Sequence, residues 1–415
     1  MQKFLTTMSA AINRASSVSC EAPREESFSF KHEKWALETK VVRKIGEISP
    51  EDWNRVFPDI LEGYDFMKSV DEANFEQFSF YYILVYRDNA PVGAASCFLM
   101  SYPLDTTVQG PLKVCLAALK KLLPNLLNLR ALICGLPMTP GRVGMIGENP
   151  HLIVKAIVDC MEKIAQKEKI PIVAFKDFGL QYTEVLDSLK EEGFIKFESL
   201  PNTEMEVRFK DFEQYLKTLS GASRYDLRRK FKKVDGRIKI DLEISNELNG
   251  ELENAHGLYL QTSAKGGVQF EKVPREFFDR VSKNMPEKVR YFLWRINEKL
   301  VAFSFCLVSE GHFIDYYLGL DYSVAYDYGL YFIRFRDMLK WCIDNKIKTY
   351  EMGNTSYEPK RRLGFSFIPL YVYFKHRSRW VRPLFRLLSH FLKPENFDQT
   401  LKEMKIGNIR WGKKA

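Results

Sequence analysis

Asp177 and Asp321 each close an apolar run with strand character, IPIVAFKDF (170–178) and FIDYYLGLD (313–321). A carboxylate so placed can act as a general base, or can cap the helix that follows. Lys176 stands beside the first as a candidate substrate-side cation. Tyr357 and Lys360 follow the strand-like KTYEMGN (348–354). A lysine at a strand end that opens into a cleft can hold a phosphate or carboxylate. Lys360-Arg361-Arg362 also reads as a plain solvated charge run. PGRVGMIG (140–147) lies between a strand-like and a helical run. Its Arg142, Gly144 and Gly147 suit a loop whose backbone N–H groups approach a diphosphate at a helix start, or an ordinary glycine-rich connection. Arg224, Arg228 and Arg229 belong to the basic run SRYDLRRKFKKVDGRIK (223–239). That run suits an anionic partner, or a solvated helix face tied to Asp226.

The elements that position these residues come in two sets. YYILVYRDNAPVGAASCFLM (81–100) and RYFLWRINEKLVAFSFCLVS (290–309) align Tyr82 with Tyr291, Leu84 with Leu293, Val92 with Val301 and Cys97 with Cys306. Each is a hairpin signal: apolar run, polar turn, apolar run. After the first come LRALICGL (129–136), a Gly/Pro loop, a helical run over 151–168 and the strand at 170–178. After the second come the strand at 313–321, the loop YSVAYDYG (322–329), a helical run over 330–345 and KTYEMGN. Ile153, Ile157, Cys160, Met161 and Ile164 recur on one helical face, as do Phe332, Phe335, Leu339, Cys342 and Ile343. Gly193-Phe194 and Gly364-Phe365 close the two sets. The repeat predicts a duplicated α/β domain with a mixed sheet in each half.

A chain of 415 residues, 46% hydrophobic and 14% aromatic, supports two packed domains. Its seven cysteines lie mostly in apolar periods without a CxxC pair, the pattern of reduced buried thiols. Six scattered histidines offer no metal-ligand spacing, and metal catalysis is not expected. No run of about 18 uncharged apolar residues suggests a membrane span. The net charge of +9 concentrates at 223–239 and in KHRSRWVRPLFRLLSHFLK (375–393). The latter suits either a helix covering the domain or an interfacial helix on an anionic surface.

The order hairpin, strand, glycine-containing loop, helix, strand resembles the GNAT-type N-acyltransferase fold. Twice in one chain, it resembles the FemAB-like branch with its BioF2-like acetyltransferase domains. SLPNTEMEVRFKDFEQYLKTLSGASRYDLRRKFKK (199–233), YYLGLDY with YDYGLYF (316–332), YEPKRRLGF (357–365), CGLP (134–137) and FKDF (175–178) carry the likeness. It departs from the Fem peptidyltransferases in lacking a coiled-coil arm and in carrying an apolar, basic insert at 108–130.

The resemblance implies an α/β fold of two tandem GNAT-type units, at 41–210 and 211–375. A weakly ordered segment (1–40) precedes them and a basic amphipathic tail (376–415) follows. It implies acyl transfer from acyl-CoA or an acyl carrier protein to an amine, with the carbonyl polarised by a backbone N–H of a splayed strand. The donor is a co-substrate, and no tightly bound cofactor is implied. Asp177, Asp321 and Tyr357 are then the catalytic candidates. Arg142, Gly144, Gly147, Tyr326, Gly329 and Lys360 are the donor-binding ones, and Lys176, Arg224, Arg228 and Arg229 the substrate-binding ones. The rivals are an aminoacyl-tRNA-dependent peptidyltransferase and a non-catalytic binder of envelope material or a membrane surface. DNA is not an expected partner. A cytoplasmic location is expected, with room for peripheral contact at the inner membrane.

Overall fold

The computed structural model describes residues 28–32, 36–103, 128–265, 270–389, 393–396 and 398–406. Most of the 108–130 insert, Cys20, Cys115 and the terminal WGKKA lie outside these.

The first half runs β1 (Phe28–His32), β2 (Leu37–Val42), α1 (Pro50–Val56), α2 (Tyr64–Ala73), β3 (Ser79–Arg87), β4 (Ala90–Pro103) and β5 (Asn128–Cys134). It continues through β6 (Gly144–Met145), α3 (Pro150–Lys167), β7 (Ile172–Gly179), α4 (Thr183–Leu186) and β8 (Ile195–Glu206). Two helices follow, α5 (Phe212–Thr218) and α6 (Gly221–Asp235). The second half has β9 (Asp241–Ser245), α7 (Leu252–Lys265), α8 (Arg275–Asn284), β10 (Val289–Ile296), β11 (Lys299–Ser309) and β12 (His312–Leu320). After these come α9 (Ala325–Tyr328), α10 (Leu330–Asp344), β13 (Thr349–Glu351), α11 (Tyr357–Arg362) and β14 (Ser366–His376). Helices α12 (Arg382–Ser389) and α13 (Gln399–Ile406) end the described chain.

Both predicted hairpins form. Their two-residue turns, Asp88-Asn89 and Asn297-Glu298, all have positive φ (49°, 62°, 47° and 65°). That is the primed turn whose twist matches its strands. In each half a helix (α3, α10) carries the chain across to a parallel strand, pairing β5 with β7 and β12 with β13.

The expectation of one sheet per half needs correction. The strands form a single sheet in the order β1-β2-β3-β4-β5-β7-β14-β8-β13-β12-β11-β10-β9, with β6 beside β4. The halves join because β8 and β14 pair antiparallel from Ser366↔Glu204 to Phe374↔Ile195. Each then uses its other edge on the opposite half: β14 pairs with β7, and β8 with β13. Each half leaves a slot one strand wide, and the other half's last strand fills it. Both long strands follow a left-handed glycine, Gly193 (φ 89°) and Gly364 (φ 80°), where a Cβ would be strained. The boundaries drawn at 210 and 375 therefore cut through a strand exchange, and β1 and β2 begin the first unit before residue 41.

Alternation along the strands assigns the helical layers. Tyr81, Ile83 and Val85 of β3 face α3, whereas Phe80, Tyr82 and Leu84 face a core shared with α1 and α2. In β10, Phe292 and Trp294 face the core of α5, α6 and α10, and Tyr291 and Leu293 face the shared one. That shared core spans both units. Phe277 of α8 meets Phe66 and Phe75 of the first unit edge-on, with centroids 5.7 and 5.6 Å away. Burying each such ring stabilises by about 2–3 kcal/mol. Asn284 Nδ2 adds a 3.1 Å hydrogen bond to Ser69 Oγ across the seam.

Candidate functional site

The seam gathers charge. Glu62, in the connection between α1 and α2, is 2% exposed. Its Oε2 lies 3.5 Å from Nη2 of Arg142, in the loop after β5. Its Oε1 accepts a long, 3.4 Å hydrogen bond from the Tyr316 hydroxyl on β12 of the other unit. Glu351, at the end of β13, pairs with His312 Nε2 at 3.3 Å. The charge of Glu62 holds Arg142 even more firmly protonated, against the opposing effect of burial. Burial first, then Glu62 and Glu351, push the Tyr316 hydroxyl well above its ordinary pKa, so it serves as a donor at neutral pH. Glu62 and Arg142 line a shallow recess, with room for about one water, whose other walls include Phe57, Ile60, Met67 and Leu136.

On the second unit's side the sheet opens. β12 and β13 pair only from His312↔Thr349 to Ile314↔Glu351, while β12 continues along β11 to Leu320. Among the described residues no strand lies beside Asp315–Leu320 on that edge. The β11–β12 register slips where Phe305 faces Tyr317 and Cys306 faces Asp315, so Tyr316 is the extra residue of a bulge. In the first unit the equivalent gap is closed by the chain itself. Gly141 bridges to Phe178 and donates its N–H to the Asp177 carbonyl at 2.9 Å. A Cβ at Gly141 would meet the Lys176 carbonyl oxygen at 2.3 Å.

A buried network braces the open edge. Arg334 of α10, wholly buried, donates from Nη2 to both Asp315 oxygens at 2.9 and 2.8 Å, and from Nε to Ser304 Oγ at 2.8 Å. Lys360 is 3% exposed on α11, not solvated at a strand end as the plain reading had it. Its Nζ donates to the carbonyls of Met352 (2.6 Å) and Gly353 (3.2 Å). Burial brings its pKa down to about 7, against the pull of Asp315 and Glu351.

The other candidates scatter around this seam. Asp177 is buried at a bulge opposite β14 with φ 59°, ion-paired with Lys176 and accepting from Ser199 Oγ. The Tyr357 hydroxyl donates to the carbonyls of Asn354 (2.7 Å) and Pro201 (2.9 Å). Burial and then the charges of Asp398 and Asp177 raise its pKa. Asp321 is turned to local structure: Lys299 Nζ donates to it at 2.7 Å, Ser323 Oγ at 2.6 Å and Ser323 N at 3.0 Å. Despite desolvation, these bonds hold it below the usual carboxylate range.

The two loops before the crossover helices differ. Gly144 lies in β6 against Ala94, and the next donor, Ile146 N–H, goes to Val92, leaving Gly147 (φ 97°) in open space. In the second unit Gly329 (φ 57°) starts α10, and Tyr326 is 73% exposed. Lys265 lies over the rings of Tyr322 and Tyr326, 4.5 and 5.4 Å from their centroids. Helix α6 packs beside this loop through Leu227, Phe231 and Val234, with Lys230 4.5 Å over the Phe332 ring. Arg228 and Arg229 on α6 are exposed and paired with Glu213 and Asp226, and Arg224 is half-buried.

Sequence reasoning missed Glu62, Tyr316, Glu351 and the Asp315–Arg334 pair. The last left a signal: an Asp inside an apolar strand and an Arg inside a helix's buried stripe demand a partner. Glu62 left none, because an acid in a turn is ordinarily solvated.

The chain matches the FemAB-like family, described as peptidoglycan biosynthesis/recognition, over residues 129–407. It is 23% identical over 359 residues to a Mycobacterium tuberculosis protein, provisionally named 8-amino-7-oxononanoate synthase 2, in two strains. The alignment covers 82% of this chain and 46% of those relatives, so the chain spans about half their length. Among solved structures, FemX aligns with a TM-score of 0.53 at 13% identity, over 82% of this chain and 98% of FemX. A tandem GNAT protein from the clavulanic acid biosynthesis pathway aligns at 0.47 and 9% identity, over 82% and 99%. The matched residues extend over more than half of the chain and include the strand exchange, the open edge and α11: this protein belongs to the FemAB-like family.

Proposed function

We propose that this protein is an acyltransferase whose second unit receives a thioester donor, acyl-CoA or an acyl carrier protein, and whose acceptor is an amine reached through the seam. The observation that carries this reading is the open edge of β12 with its bulge at Tyr316. A thioester lying along that edge can accept a hydrogen bond from strand backbone as negative charge develops on its oxygen. The work is then mainly orientation: the amine and the carbonyl are held in contact before reaction. Glu62 and Glu351 supply carboxylates near the bulge to take the amine's proton. The Lys360 amine, its pKa brought down by burial, holds the Met352–Gly353 turn that borders the gap. The first unit, its gap plugged by Gly141, shapes the acceptor side.

The basic face of α6 beside the α9–α10 loop suits the phosphates of such a donor. The same face favours a second reading, transfer from an aminoacyl-tRNA, whose binding would fall steeply with salt. Thermal shift separates the two. Stabilisation by acetyl-CoA and longer acyl-CoAs supports the first; stabilisation by aminoacyl-tRNA with none by CoA overturns it in favour of the second. Indifference to both, together with sedimentation on anionic vesicles, supports a non-catalytic surface binder.

A further inference from the structure

The end of the sheet where β14 runs out carries apolar and positive surface together. From Lys375 to Lys393 the chain has six lysines and arginines and no acid. Helix α12, in this segment, is fixed to the fold by one face. Phe385 is buried, stacked on the His376 ring at 5.5 Å and edge-on to Phe374 at 5.4 Å. Arg382 Nε donates to the His376 carbonyl at 2.8 Å. Pro383 and Leu387, one turn apart, lie on the other side and are exposed, Leu387 by 62%. Trp380, just before the helix, is 81% exposed, with the Arg379 guanidinium 5.1 Å from its ring centroid. Arg386 is exposed as well. One exposed leucine is ordinary; a tryptophan and a leucine displayed in a segment of uniform positive charge are not.

Strand register brings a second basic segment to the same end. Ala131 of β5 pairs with Ile172 of β7, which pairs with His376 of β14, so the three stand in one row. Two strand spacings, about 10 Å, separate the outer two. Beyond that row β5 reaches back to Asn128, opposite Pro103, while β14 leads on to Arg377. Arg130 and Arg377 both donate to carbonyls at the C-terminal end of α3, those of Glu168 (3.1 Å) and Ala165 (3.2 Å). The chain thus departs into residues 104–127, and returns from them, on the side of the sheet end that leads to α12. Those residues carry Lys113, Lys120 and Lys121 against Asp105 alone.

We propose that the face formed by Arg379, Trp380, Pro383, Arg386 and Leu387 docks on an anionic phospholipid bilayer. The inference goes beyond the acyl-transfer reading and does not rest on it. A tryptophan is at home at the level of the head groups, and a leucine on the same face reaches the acyl boundary. Arginines laid beside them keep their stems on apolar surface and their guanidinium groups on lipid phosphates. Charge decides against two other occupants. A second copy would set this cationic face against itself, and residues 104–127 are themselves net positive.

Co-sedimentation of the full chain with vesicles tests this, using equal parts phosphatidylglycerol and phosphatidylcholine against phosphatidylcholine alone. The expected result is binding to the anionic vesicles, weaker by roughly tenfold or more on the neutral ones and reduced by salt. The double variant Trp380→Ala with Leu387→Ala should weaken binding to anionic vesicles roughly tenfold or more. Arg379→Gln with Arg386→Gln should do the same and flatten the salt dependence. Both variants change exposed side chains, and an unchanged thermal midpoint confirms that they are folded. Three results overturn the proposal: no binding of the wild-type chain to anionic vesicles, equal binding to neutral ones, or full binding by the Trp380/Leu387 variant. A wild-type dimer that the Trp380/Leu387 variant turns into a monomer also overturns it, by giving the face to a second copy. Absence of an acyl-CoA thermal shift with vesicle binding intact overturns the donor assignment and leaves this surface standing.

Discussion

The Tyr316 hydroxyl donates to Glu62 at 3.4 Å although the two residues are 254 positions apart, one at the bulge of the second unit and the other in a turn of the first. This contact joins the open strand edge to the recess. Tyr316→Phe keeps the ring and deletes the link. Its effect on stability should stay within about 3 kcal/mol, the upper worth of one hydrogen bond to a charged group. Its effect on transfer should be a kcat lowered roughly tenfold or more with donor KM nearly unchanged. Steady-state kinetics with acyl-CoA and an amine checks this; an unaltered kcat would remove Tyr316 from the site.

Gly141 plugs the first unit's gap, and a side chain there has no room. Gly141→Ala forces a Cβ onto the Lys176 carbonyl and the Phe178 ring. The expected loss is about 1–3 kcal/mol, the usual cost of overpacking. The folded variant should still respond to acyl-CoA, because the donor sits in the other unit. Loss of donor response in a protein that retains its circular-dichroism spectrum would assign the donor to the first unit.

Arg334 and Asp315 are a buried pair, both almost fully enclosed. Removing one partner by Asp315→Ala strands the guanidinium and should cost about 3–5 kcal/mol. The double change Asp315→Leu with Arg334→Met should recover much of that loss. Urea denaturation of the three proteins gives the comparison. A single variant as stable as wild type would mean that the pair does not brace the edge.

Lys360 links stability to pH. In the fold its pKa falls to about 7, whereas the unfolded chain holds the proton up to the ordinary lysine value of 10.5. Between those values the unfolded state binds more protons, so this group makes stability rise with pH. Below about pH 7 the buried ammonium is a constant cost. Lys360→Met should therefore flatten the rise of unfolding free energy between pH 7 and 9.5, by an amount of a few kcal/mol at most. Parallel curves for the two proteins would show that the lysine stays charged.

Local pattern determined a great deal of this protein. Asp88-Asn89 and Asn297-Glu298 dictate tight turns, and the alternation through β3 and β10 dictates two buried faces. The helical periods of α3 and α10 follow from apolar spacing alone, and the order of elements in the repeat pointed to the family. What tertiary structure decided was partnership. Nothing in β8 or β14 says that each will complete the opposite half, because a strand's backbone pairs with any edge of suitable twist. Nor does Glu62 announce Arg142 and Tyr316. Whether a charge is solvated or enclosed depends on which distant surfaces meet over it, and Lys360, open in the sequence to a solvated or a ligand-binding reading and found buried on backbone carbonyls, is the plainest case.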